Sequence, residues 1–172
     1  SIFVTNAGLL LFSRNPQKFI PHAKTIIRFN GSDAWLRKLL GDPTISGTTY
    51  EQIVKGNLWS QLDLINDALS LVNRPFRLKE GESIDVYPYD PTALKEVIVN
   101  SLVHRDYELN SPNILEITPH TVHIINPGGL TDDVKHYFED HQMLEEVKSG
   151  RRGIKGYRNS VIADLFYGGG NM

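Results

Sequence analysis

Between Asn57 and Asn73 the chain repeats Leu58, Leu62, Ile65, Leu69 and Val72 at steps of three and four, which lays one apolar stripe along a helix. A single stripe has to be covered by a second layer, so the neighbours of this helix decide the fold class. Asn57 suits its N-cap and Arg74-Pro75 ends it. Upstream, Ala23 to Phe29 (AKTIIRF) is β-branched and bounded by Pro21 and Asn30-Gly31, which predicts a strand followed by a turn. Downstream, Ser83 to Tyr87 reads as a strand, and Asn113 to Thr118 with Thr121 to Ile125 as a hairpin turning at Pro119-His120. Asn6 to Phe12 is either a helix turn or a strand, SDAWLRKLLG a short helix, and Thr44 to Thr49 a loop. A polar helix is expected from Asp132 to Lys148 and an apolar one from Ser160 to Tyr167. This order predicts an α+β two-layer sandwich, a mixed and mainly antiparallel sheet with helices on one face.

Composition narrows the function classes. The 172 residues are 40% hydrophobic and 22% charged, an ordinary globular balance and long enough for a real core. Lys and Arg number 18 against 20 Asp and Glu, so the chain lacks the basic surplus of a nucleic-acid module, although a local basic face stays open. The absence of cysteine excludes disulfides, thiolate zinc sites and a cysteine nucleophile. The apolar run Ala7 to Phe12 is far short of a membrane span, and nothing has the layout of a signal peptide, so a soluble cytoplasmic protein is expected. The chain opens on SIFVT without Met and stops at GGGNM, which reads as a piece of a longer protein.

The chemistry concentrates in EVIVNSLVHRDY, Glu96 to Tyr107. Asp90-Pro91 predicts a helix start, a carboxylate N-cap followed by Pro where its missing N–H costs nothing, and the helix should reach about His104. Residues four apart lie about 40° apart around a helix, so Glu96, Asn100 and His104 form one ridge. Leu94, Val97, Ile98, Ser101 and Leu102 form the main apolar stripe, and Val99 and Val103 flank the ridge. The ridge is either a solvated face or the floor of a partly buried pocket. A carboxylate beside an amide oxygen suits the second reading, because the amide can ligate Mg²⁺ while the carboxylate activates a water against a phosphate. The hairpin after this helix ends in HIINPGGL, where Gly128-Gly129 lets backbone approach a ligand closely.

With these motifs in order, the chain resembles the ATP-binding domain of the GHKL superfamily (gyrase B, MutL, histidine kinases), with its Bergerat-like fold. More closely it is similar to RecG-related ATP-dependent DNA helicases or transcriptional regulators, in which this domain follows an AlbA/Schlafen-type DNA-binding domain. The resemblance runs through TNAGLLLFSRNPQKFIPHAKTIIRFNG, GNLWSQLDLINDAL, PTALKEVIVNSLVHRDY, HIINPGGL and RNSVIADLFY. It implies an N-terminal α/β segment, 1–75, packing on a nucleotide-binding core, 76–172. It also implies ATP and Mg²⁺ as ligands, Glu96 as catalytic base and Asn100 as metal ligand. Asn126, Gly128 and Gly129 would border the adenine, and His104 would lie beside the metal. DNA contact would come through domains outside this chain, and a homodimer is the assembly considered. Two departures stand out. Asn126 replaces the family's adenine-binding aspartate, with one residue fewer between the glycines, and the phosphate-closing glycine box would lie beyond Met172. The rival expectation is a degenerate fold serving as a non-catalytic dimerisation or interaction module.

Other motifs point elsewhere weakly. His104-Arg105-Asp106 spells the protein-kinase triplet, but Ser111 stands where its Asn is required. Arg105 and Asp106 are expected instead to cap the helix end. His120 with His123, and His136 with His141, lack a third metal ligand and read as surface histidines. Arg151, Arg152, Lys155 and Arg158 read as a solvated basic loop, or as contacts to phosphates of ATP or DNA.

Overall fold

The computed structural model describes residues 3–78, 84–150 and 156–168. The chain runs α1 (Asn6–Phe12), β1 (Thr25–Asn30), α2 (Asp33–Leu40), β2 (Thr49–Val54), α3 (Leu58–Val72), β3 (Phe76–Leu78), β4 (Ile84–Val86), α4 (Pro91–Val103), β5 (Asn113–Ile117), β6 (Val122–Ile125), α5 (Asp132–Glu139), α6 (His141–Lys148) and α7 (Ser160–Gly168). The main sheet has the order β2-β1-β5-β6, with β1 parallel to β5 and the two outer pairings antiparallel. This is an α+β fold with a mixed sheet, as the pattern of elements predicts. Residues 1–75 do more than pack against a core in 76–172: they supply β1 and β2, half of that sheet.

One face of the sheet carries Ile27, Phe29, Val54, Leu115 and Ile117, all buried against Leu36 of α2, Ile65 and Leu69 of α3 and Ile98 of α4. The other face carries a row of four isoleucines in register, Ile53, Ile26, Ile114 and Ile125, one from each strand. Ile53 and Ile125, at the ends of that row, are exposed. A second apolar cluster joins Leu10 and Leu11 of α1, Leu58 of α3, Val99, Leu102 and Val103 of α4, and Ile162, Ala163 and Phe166 of α7. Helix α4 therefore buries two sides.

The caps explain where the helices begin. Asn57 accepts from the Ser60 N–H at 2.9 Å, and Asp90 accepts from the Thr92 and Ala93 N–H groups at 2.7 and 3.1 Å. The polar helix expected over Asp132 to Lys148 is two helices, because Asp140 leaves helical backbone and its carboxylate caps the Met143 N–H at 3.0 Å. Asn6–Phe12 resolves as helix. The strand β2 was not expected after the 44–49 loop: only Val54 of its six residues is buried, so no period-two apolar signal marks it. Ser83 and the cluster Arg151, Arg152 and Lys155 lie outside the described residues. Among the described residues no helix is long and apolar enough to cross a membrane.

Candidate functional site

The structure brings all six sequence-predicted site residues to one place. Glu96, Asn100 and His104 on α4 line a cavity of about 780 Å³ together with Asn126, Gly128 and Gly129. Such a volume lies within the range of about 300–1,000 Å³ usual for small-molecule sites. Leu130 and Thr131, Val134 and Phe138 of α5, and Tyr157, Arg158 and Tyr167 also line it.

The α4 ridge is held from its own helix and from α7. Tyr167 donates its hydroxyl to Asn100 Oδ1. Burial raises the Tyr167 pKa, helped by Tyr157 and the Glu96 charge, so the hydroxyl keeps its proton and remains a donor. His104 stacks on Tyr157 with ring centroids 5.4 Å apart and planes 23° from parallel. Desolvation there lowers the imidazole pKa, which keeps His104 neutral at physiological pH. Val99 and Val103 do not border the cavity as expected. Both face the core, while Val97 of the expected apolar stripe is 48% exposed. The reason is α7, whose Ile162 and Phe166 join those valines in one apolar cluster.

The glycine loop is fastened to the end of α4. Gly128 has φ +122°, a conformation that favours glycine, and a Cβ there would come within 3.0 Å of the Asp106 Cβ. Gly128 thus lets the loop lie close against the Asp106 segment. Gly129 lies open, with nothing within 4 Å of where its Cβ would be. The Asp106 N–H donates to the Pro127 carbonyl at 2.9 Å. Arg158 pairs with the Asp106 carboxylate at 2.9 Å and donates to the Gly129 carbonyl at 3.0 Å, so this cation is committed to protein partners.

The H-R-D triplet serves the fold, though not as the expected helix cap. Arg105 is buried, and its guanidinium donates to the carbonyls of Lys24 (3.0 Å), Ser111 (2.6 Å) and His22. Desolvation pulls its pKa down, partly countered by Tyr107, whose ring lies 4.9 Å from the guanidinium carbon. Asp106 turns back on the Glu108 N–H at 3.0 Å. The carbonyls at the end of α4 are satisfied by Asn159, which donates to Val103 at 2.8 Å and Arg105 at 2.7 Å, and by the Tyr107 hydroxyl on Leu102 at 2.8 Å.

Asn126 and Thr131 line the cavity, but their side-chain oxygens, Oδ1 and Oγ1, are themselves buried from solvent and have no hydrogen-bond partner. No group of three or more His, Cys, Asp or Glu able to hold a metal occurs among the described residues. His120, His123, His136 and His141 are exposed, as expected. Thr131, Tyr157 and Tyr167 escaped the sequence reading. Only Tyr167 carried a signal, lying one helical turn beyond the buried Ala163 on a largely apolar helix.

No protein-family model matches the chain, and no curated protein does. Among solved structures the chain is similar to the DIP2311 protein of Corynebacterium diphtheriae, with a TM-score of 0.61 and 21% identity over 94% of this chain. It spans 28% of that protein's length. At this identity the likeness speaks for the fold.

Proposed function

We propose that the cavity binds ATP as its magnesium salt, within a GHKL-type domain of a RecG-related DNA-binding transcriptional regulator or DNA helicase. One observation carries the reading: Glu96, Asn100, His104, Asn126, Gly128 and Gly129 all line a single cavity of about 780 Å³, large enough for a nucleotide. Asn100 Oδ1 is a hard oxygen that keeps one lone pair after accepting from Tyr167, so it fits a place in a magnesium shell. A magnesium ion held by Asn100 would supply positive charge to offset the negative charge of the phosphates. Glu96, one turn before Asn100, takes the proton of the attacking water. His104, held neutral, borders the ridge without setting a second positive charge beside the metal. Asn126 lines the same cavity and is the residue that would meet the base. DNA is engaged by parts of the protein outside this chain.

A second reading has its own observation. Tyr167 already satisfies Asn100 Oδ1 from within the protein, as it would in a chain that keeps the fold only as a dimerisation or interaction module. Calorimetric titration of ATP, with and without Mg²⁺, separates the two. The nucleotide reading expects Mg²⁺-dependent binding that Asn100→Ala weakens by at least about tenfold, a loss of roughly 1.4 kcal/mol. It also expects Glu96→Ala to bind ATP and fail to turn it over. No heat of binding from the unaltered chain would sink that reading and leave the interaction module.

A further inference from the structure

Helices α2, α3 and α4 pack on the main sheet through one face. The opposite face keeps its row of isoleucines, Ile53, Ile26, Ile114 and Ile125, of which the outer two are each 53% exposed. Side chains two residues along a strand return to the same face, so a second row lies beside the first. Taken across the strands in the same order, it is Glu51, Arg28, Glu116 and His123. Arg28 pairs with Glu51 at 2.6 Å. Glu116 accepts from the Asn30 amide at 2.6 Å, but among the described residues no cation pairs with it. An apolar row rimmed by charge marks an interaction face.

A second copy of the chain fits this face, because the two rows are their own complement. A two-fold axis that runs along the strands, between β1 and β5, lays β1 over β5 of the second copy and β2 over its β6. Ile26 then meets the second copy's Ile114, and Ile53 meets its Ile125. In the next row Arg28 meets the second copy's Glu116, and Glu51 meets its His123 imidazole. An axis through β1 would instead set Arg28 on Arg28 and Glu51 on Glu116. We infer that the chain pairs with a second copy of itself through this face, sheet on sheet, with the isoleucine rows in contact and two Arg28–Glu116 ion pairs beside them. Strands about 4.8 Å apart and rows about 6.8 Å apart make each patch roughly 300–400 Å², the size of a weak and reversible interface. The inference needs nothing of the cavity, none of whose lining residues stands in these rows.

Sedimentation equilibrium of the chain from about 10 μM to about 1 mM tests it, with a dissociation constant on the order of 10⁻⁴ M expected. Ile53→Lys, at an exposed position, should weaken the dimer by at least about tenfold. Arg28→Glu and Glu116→Arg should each remain monomeric, because like charges then face each other across the axis. An equimolar mixture of those two variants should associate again, because one ion pair is then reversed and the other is native. Urea unfolding checks that each variant is folded, and Ile53→Lys decides the matter should a charge reversal unfold the chain. A chain that stays monomeric up to about 1 mM overturns the inference. So does a dimer that Ile53→Lys leaves intact, since it would use another face. A mixture of folded reversal variants that fails to associate overturns it as well, since the axis would then be wrong.

Discussion

His104 and Arg105 are neighbours at the end of α4, yet they face different regions. His104 turns to the cavity, stacked on Tyr157, while Arg105 turns to the core and takes three backbone carbonyls. Unpaired polar atoms occur on both sides, but the space beside them differs. Asn113 Oδ1, on the core side, borders a void of about 10 Å³, room for a single water, and its amide nitrogen still donates to Ser101 at 3.1 Å. Asn126, whose Oδ1 is likewise buried, belongs to the lining of about 780 Å³. Polar groups on the core side fasten distant segments of backbone, and those on the cavity side surround open space.

The sharpest way to break that contrast is Arg105→Met. It strands the carbonyls of His22, Lys24 and Ser111, and should cost about 3 kcal/mol, in line with the loss of a buried charged partner. Urea unfolding measures it, and a cost below about 1 kcal/mol would show that Arg105 is a passenger in the core. Tyr167→Phe acts at the boundary between the two regions. It removes the hydroxyl on Asn100, and should cost about 1 kcal/mol of stability and about threefold in Mg²⁺-dependent ATP affinity. Unchanged affinity would assign Tyr167 to packing alone.

The smallest effect expected is on pH dependence. The folded His104 pKa lies below its unfolded value, so between the two the unfolded chain binds more protons. Stability from this group is fully present above the unfolded value near 6.5 and is lost as pH falls through the window below it. Urea midpoints at pH 7.5 and 5.5 should therefore differ more for the unaltered chain than for His104→Gln. Equal differences would mean that the cavity does not desolvate the imidazole.

What was legible in the sequence was whatever local chemistry decides. Asn57 and Asp90 announced α3 and α4 because a cap is a short-range hydrogen bond written into the residue type. The ridge of Glu96, Asn100 and His104 followed from helical spacing, and the structure does set it on a cavity. Long-range pairing was less readable. Arg105 was expected to cap the helix end, but two of its three carbonyl partners lie 81 and 83 residues earlier in the chain, and nothing beside Arg105 encodes them. Val99 and Val103 were placed at the rim because the arrival of α7 cannot be read from α4. Asp140 reads equally as an exposed helix residue and as a cap, and here it caps.

The seam at the middle of the sheet has a consequence for how the chain assembles. Thr25 of β1 lies parallel to Asn113 of β5, so no hairpin can start this pairing. Closing so long a loop loses chain entropy before a single ladder bond rewards it. The helices α3 and α4 lie within that loop, and their caps and apolar faces form from residues close in sequence. They span much of the sequence between β1 and β5 and pack on that sheet through Ile65, Leu69 and Ile98. The helix that carries the candidate ridge is thus also part of the scaffolding on which the centre of the sheet is hung.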